Sequence, residues 1–221
     1  MVEEKKESRK HAGCCSCFCG SRWFLIWGTV VVLAVISIYL LRVLARPLVI
    51  ESFESGENGW LVVGDAQGES DKPTYQTSGG NPGAFMEAVD DAVVGIWYWA
   101  APESFRLKIS DEWEKRGGAG CELFFDLKQS DTSAPFKADD VILSDGKIEL
   151  SYRHESPPGE EWTSYRIPLD AMAGWVNKIG NERAASRAEM DQVLRHLSKL
   201  WIRGEFREGP DRGGLDNVGI R

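Results

Sequence analysis

Past its first twenty residues the chain has a single cysteine, Cys121, so the rest of it can form no internal disulfide. A body of about 175 residues must then rely on its apolar core, which is large enough at that size even on an oxidising side of a membrane. No Asn-x-Ser/Thr glycosylation acceptor occurs. Histidine is scarce as well: His11, His154 and His196 are the full set, and no His/Glu pair has zinc-protease spacing. No glycine-rich nucleotide loop follows a strand-like run. Basic charge is the other shortage. The chain has 26 Lys/Arg against 34 Asp/Glu, and the first 46 residues hold seven of the bases and three of the acids, so the body carries a net charge of −12. Phosphate binding needs a basic footprint, which excludes nucleic acid as a partner of the body. The same acidity argues against a body lying on anionic lipid. Carboxylates are plentiful, and a sugar hydrolase needs only two, but no spacing nominates a pair. The body reads as non-catalytic.

Residues 23–41, WFLIWGTVVVLAVISIYLL, are present as an unbroken uncharged run of 19 between Arg22 and Arg42. As a helix the run would be roughly 28 Å long, close to the hydrocarbon thickness of a bilayer. It exceeds a signal-peptide core and lacks a clean small-x-small cleavage site after it. A single transmembrane helix over 23–44 is expected, acting as an uncleaved signal-anchor. Five basic residues precede it (Lys5, Lys6, Arg9, Lys10, Arg22) and two come after it (Arg42, Arg46). The positive-inside rule therefore puts a head, 1–22, in the cytosol and the body in the lumen or outside, as a type II single-pass protein.

The head concentrates the other four cysteines: Cys14, Cys15, Cys17 and Cys19. Thiols this close to a cytosolic bilayer surface are candidates for S-palmitoylation. A zinc site is the competing reading, although adjacent and once-spaced cysteines strain a tetrahedron. The third reading is an unmodified, reduced tail. Cys121 lies in the apolar run CELFFDL and reads as a buried small hydrophobe.

From residue 51, after a short linker over 45–50, the sequence breaks into short apolar runs punctuated by Gly, Pro and Asp. Strands are expected at 49–53, 60–63, 84–89, 93–99, 105–109, 121–127, 141–143, 148–152, 163–168, 200–206 and 215–220. So many short strands favour an antiparallel sandwich over alternating βα units. Asp145-Gly146 suits a type I′ hairpin turn between 141–143 and 148–152. One helix interrupts the pattern. Ser186 and Glu189 form a capping box, and Met190, Val193, Leu194, Leu197 and Leu200 continue it at helical spacing.

The segments FESGENGW (53–60), GNPGAF (80–85), GIWYWAAPESF (95–105), CELFFDLKQS (121–130), DDVILSDG (139–146), WTSYRIPLD (162–170) and LWIRGEFREGPDRGGLDNVGI (200–220) together resemble the laminin IV type A domain, also called laminin B. Their order and spacing agree over residues 51–220. The resemblance implies an all-β jelly-roll sandwich similar to galactose-binding and carbohydrate-binding modules, with no catalytic chemistry. No cysteine-rich growth-factor-like repeats flank it, so a matrix-polymer role does not carry over. The resemblance also implies adjacent first and last strands, with carboxylates near both ends that often hold a structural Ca²⁺. The matching acids are Glu54 and Asp216, and the plainer alternative is a turn cap and a solvated side chain.

Aromatic rings give the other candidate site. Sugars stack their C–H faces on flat exposed rings, and strand alternation puts Trp97 and Trp99 on one face with Tyr98 on the other. Trp97 and Trp99 are thus either a ligand platform or core, and Trp60, Trp162 and Trp201 read as core by the same reasoning. The expected function is a membrane-anchored binding module for carbohydrate or a glycoprotein, with a cell-surface or matrix partner. The alternative is a structural protein–protein module that binds no glycan.

Overall fold

The computed structural model describes residue 27 and residues 30–37, 47–64, 72–90 and 95–221. The chain divides into two units, Met1–Arg46 and Pro47–Arg221. Cys14, Cys15, Cys17, Cys19 and most of the expected span lie outside the described residues. Among the described residues no helix is long and apolar enough to cross a membrane. Trp27 and residues 30–37 are helical, and their large apolar side chains are exposed, from 46% at Ile36 to 64% at Trp27.

The second unit is built on two antiparallel sheets. One has the order β3 (Thr74–Gly80), β4 (Gly83–Asp90), β13 (Asp211–Ile220), β6 (Glu122–Gln129), β9 (Thr163–Pro168), and β1 (Val49–Glu51) also pairs with β13. The other has the order β11 (Arg183–Ala184), β10 (Val176–Asn177), β8 (Glu149–Tyr152), β7 (Val141–Ser144), β12 (Lys199–Arg203), β5 (Tyr98–Ala100), β2 (Leu61–Val63). First and last strands lie side by side, with Val49 opposite Ile220 and Glu51 opposite Val218. The expected linker over 45–50 is therefore too long: Leu48 N already donates to Ile220 O at 2.8 Å.

Alternation sorts the side chains. Leu200 and Ile202 of β12, Val141 and Leu143 of β7, and Leu123, Phe125 and Leu127 of β6 all point between the sheets at 0–1% exposure. Burial of this kind contributes roughly 1.5–3 kcal/mol per large side chain. Cys121 is buried among them, as its apolar context implies, and burial pushes its thiol pKa up. Trp97 packs over the backbone at Gly204 and Gly213, where a Cβ would lie 1.9 Å and 2.9 Å from its ring. Both positions need glycine because the indole has taken the side-chain space.

Among the described residues of this unit two α-helices flank the sheets, where one was expected. α1 (Glu103–Lys115) occupies the segment expected to hold a strand at 105–109. The run FRLKI alternates apolar and charged residues, which mimics a strand over five positions. Over the whole helix, Phe105, Ile109 and Trp113 recur every four residues and are buried, while Leu107 is exposed. α2 (Arg187–Arg195) has the expected capping box, with both Ser186–Glu189 reciprocal bonds formed. Trp113 Nε1 donates to Asp191 Oδ1 at 3.0 Å and ties α1 to α2. Leu200 belongs to β12 rather than to the helix stripe, and is buried all the same. The β7–β8 hairpin forms, but its turn is longer than the expected I′ type. Ser144 pairs with Glu149, Gly146 has φ +90° while Asp145 is not left-handed, and Asp145 Oδ1 accepts from Lys147 N and Ile148 N.

Candidate functional site

Trp97 and Trp99 are both fully buried, and their rings meet edge to face at 5.1 Å inside the core. Neither offers a ring face to a ligand, which overturns their candidacy as a sugar platform. The reason lies in β5: Trp99 is opposed there by Ile202 and Val62, which puts that face between the sheets, and Trp97 precedes the strand on the same side. The ring available on this sheet is Trp201. It lies between two fully buried residues, Leu200 and Ile202, so alternation turns it to the outer face. It is half-buried, stacked on Tyr98 at 5.7 Å and 30°, with Lys199 Nζ 4.3 Å from its centre. Trp162 is also half-buried, on the outer face of the other sheet, against Phe85 at 5.3 Å with Lys128 Nζ over both rings. The expectation that both are core fails: Trp201, between Leu200 and Ile202, has a local sequence that would suit either face, whereas Trp162, between Glu161 and Thr163, has polar neighbours that already suit a surface position.

Around Trp201 the outer face combines apolar and charged groups. Ile142 pairs directly with Trp201 and with Ser151, and Ser151 with Val176, so one row crosses four strands. At about 4.8 Å per strand that row spans roughly 14 Å. It leads into a hollow of about 230 Å³ lined by Asp139, Ser151, Arg153, Val176, Lys178 and Glu182. Asp139 accepts from Arg153 at 2.8 Å and Lys178 at 3.1 Å, and Lys199 pairs with Glu149 at 2.8 Å. Burial pushes the Tyr98 hydroxyl pKa up to about 12, so it is a neutral donor at any physiological pH.

Glu54 and Asp216 lie near enough for the charge of Glu54 to raise the Asp216 carboxyl pKa. The turn between β3 and β4, which contains a cis Asn81–Pro82 peptide, folds over them. Asn81 N donates to Asp216 Oδ2 at 2.6 Å, and Ala84 N to Glu54 Oε1 at 3.1 Å. Asp126 joins them across the sheet, opposite Asp216, and accepts from Asn81 Nδ2 at 3.1 Å and Asn217 Nδ2 at 2.8 Å. A Cβ at Gly83 would lie 1.9 Å from Glu54 Oε1, so only glycine lets the turn close this far. Burial pushes the Asp216 carboxyl pKa up to about 6, Asp126 and Glu54 add to the rise, and the Asn81 and Asn217 N–H groups oppose it. Among the described residues no three Asp, Glu, His or Cys side chains stand ready to hold a metal ion. Asp126, Asn81 and Asn217 were not legible as members of this cluster, since the nearest two lie 45 residues apart in the chain.

A larger hollow, about 590 Å³, opens at one end of the sandwich among the β6–β7, β8–β9 and β12–β13 loops. Arg203 sits in its wall at 3% exposure, its guanidinium 4.4 Å from the ring centres of both Phe136 and Phe206. It donates to Asp140 Oδ1 at 3.1 Å, Phe136 O at 2.9 Å and Glu205 O. His154 lines the same wall, stacked on Tyr165 at 4.0 Å, with its N donating to Asp140 Oδ2 at 2.6 Å. Burial, reinforced by the Arg203 charge, pulls the His154 imidazole down to about 4. No sequence signal marked this hollow, which exists only where three loops meet.

The fold is similar to that of a solved laminin domain. Among solved structures, the L4b domain of human laminin alpha-2 superposes with a TM-score of 0.56 at 12% identity, covering 78% of this chain and 97% of that one. A family 11 carbohydrate-binding module of a Clostridium thermocellum cellulosomal cellulase gives 0.48 at 14% identity, covering 78% and 92%. No curated protein matches the sequence. Residues 98–221 match the family model Laminin B (Domain IV), which takes in β5 to β13 and more than half of the chain. The chain belongs to the Laminin B (Domain IV) family.

Proposed function

We propose that the protein is a membrane-anchored, non-catalytic binding module that recognises carbohydrate, free or on a glycoprotein, on the luminal or extracellular side. The observation that carries this reading is Trp201: a half-buried indole on an outer sheet face, backed by Tyr98 and continued by the row Ile142, Ser151, Val176. A flat ring beside the partly exposed Lys199 and Glu149 side chains offers partners for both things a sugar presents, a C–H face and a rim of hydroxyls. The anchor rests on the uncharged run 23–41 and its flanking charge bias, with acylation of Cys14, Cys15, Cys17 and Cys19 as an accompanying proposal.

Calcium belongs to the same proposal, as a staple with no direct part in recognition. Glu54, Asp126 and Asp216 have no ion-pair partner among the described residues, and their mutual repulsion is the kind a bound cation relieves. As they stand the three carboxylates are not gathered closely enough to hold an ion, so Ca²⁺ would have to draw them together, with the side-chain amides of Asn81 and Asn217 turned over to add two oxygens. A glycan array probed with the protein tests the main reading. Binding that Trp201→Ala abolishes supports it, and no binding to any sugar retires it in favour of a protein–protein module.

A further inference from the structure

The hollow at the end of the sandwich is a second site of different character from the sheet face. Its walls are apolar rings, Phe136, Phe206 and the prolines 135 and 157, and its volume of about 590 Å³ suits a small ligand unit rather than a long chain. Its lining is richer in bases than in acids, although Arg153 is already paired with Asp139 just outside it. Lys137, Arg153 and Arg203 line it against Asp140 and Glu155. Asp140 is already committed, with one oxygen on Arg203 and the other on the His154 N–H. That leaves Glu155 as the one uncommitted acid of the lining. Lys137 is exposed at the rim and enters no ion pair among the described residues. Arg203 has five N–H hydrogens, and its bonds to Asp140, Phe136 and Glu205 account for three. Uncommitted donors on a buried planar cation, beside a free ammonium, fit a carboxylate.

The hollow also adjoins the sheet face at one side chain. Arg153 lines both it and the smaller hollow beside Ser151 and Val176. A chain lying along the row from Trp201 would therefore have this hollow within reach past Arg153.

We propose that this end pocket receives the terminal unit of an oligosaccharide when that unit is a uronic acid. Its ring would lie against the proline and phenylalanine walls, and its carboxylate would meet Lys137, Arg153 and the remaining Arg203 N–H groups. The site prefers one carboxylate on an otherwise neutral chain. A polyanionic glycan is disfavoured, because the body around the pocket carries a net charge of −12. The inference rests on the carbohydrate reading of the sheet face for the rest of the chain, but not for the terminal unit.

The test is calorimetric titration of the full protein with two trisaccharides identical except at one end, glucuronic acid in one and glucose in the other, and with methyl glucuronide alone. The acid-ended sugar is expected to bind about tenfold tighter, the effect of one charge-assisted contact. Lys137→Ala, at an exposed position that should not disturb folding, is expected to remove most of that ratio, and Glu155→Gln to increase it. Equal affinity for the two sugars, or a ratio unmoved by Lys137→Ala, overturns the inference. The two readings fail separately. Trisaccharide binding that depends on Trp201 but ignores the terminal acid leaves the sheet-face reading standing and removes this one. Methyl glucuronide binding that Lys137→Ala abolishes, with no trisaccharide contribution from Trp201, does the reverse.

Discussion

His154 gives the sharpest test of the loop end of the sandwich. Its imidazole is packed against Tyr165, Phe125 and Tyr152 and faces the Asp140–Arg203 pair, and burial with the Arg203 charge lowers its pKa from 6.5 to about 4. The folded protein thus refuses a proton that the unfolded chain accepts between pH 6.5 and 4. Where the unfolded state binds more protons, stability rises with pH, so this contribution is intact above pH 6.5 and lost as pH falls towards 4. A lowering from 6.5 to about 4 is worth about 3 kcal/mol below pH 4, and about 2 kcal/mol is already lost at pH 5. His154→Gln removes the titration while keeping a polar side chain of similar length. Urea unfolding monitored by fluorescence of the buried tryptophans, from pH 7.5 to 4.5, should show the native protein losing about 2 kcal/mol more than the variant by pH 5. Other titrating groups cancel in that difference. Parallel profiles would refute the assignment, because they would mean His154 is as free to protonate when folded as when unfolded.

The core packing, the carboxylate cluster and the N-terminal run each carry a further expected outcome. Gly204→Ala places a methyl 1.9 Å from the Trp97 ring, and it should cost about 3 kcal/mol or more by overpacking, read as a lower urea midpoint at unchanged slope. Calcium at about a hundred times its dissociation constant should raise unfolding stability by about 2.7 kcal/mol, and Asp216→Asn should remove that response while EGTA leaves the variant unmoved. A tag at the C-terminus should resist protease added to sealed vesicles from the cytosolic side, and digestion there would overturn the type II orientation. In the same vesicles, hydroxylamine release of a thioester-linked acyl group should disappear when Cys14, Cys15, Cys17 and Cys19 are all changed to Ser.

How much was legible depended on the length over which each signal repeats. The strands of β6 and β12 carry apolar residues at every second position, and the capping box at Ser186 is written in four consecutive residues. Both signals are local and both hold. The segment at 105–109 misled because five residues of alternation cannot be told from part of a helix until Trp113 is counted. The β7–β8 turn misled because Asp145 uses its side chain to hold a longer loop where its backbone had been expected to adopt a left-handed turn. Glu54 and Asp216 were legible only through the family pattern, and Asp126 and the two asparagines were not legible at all.

The sequence by itself determined the acidic charge, the absence of a disulfide in the body, the uncharged run 23–41 and the strand-rich character of the body, because composition and a periodicity of two are properties of neighbouring residues. Which aromatic ring is core and which is surface was decided only by tertiary structure. Trp99 and Trp201 sit in paired strands of one sheet, Trp97 lies just before the first of them, and each has apolar neighbours. The strand register opposes Trp99 to Ile202, inside, and Trp201 to Ile142, outside. Alternation shows that two faces exist, but which of them meets the second sheet depends on contacts made far along the chain. The end pocket is the extreme case. Arg203, Asp140 and His154 meet at separations of up to 63 residues, and their joint chemistry exists only once three loops close around it.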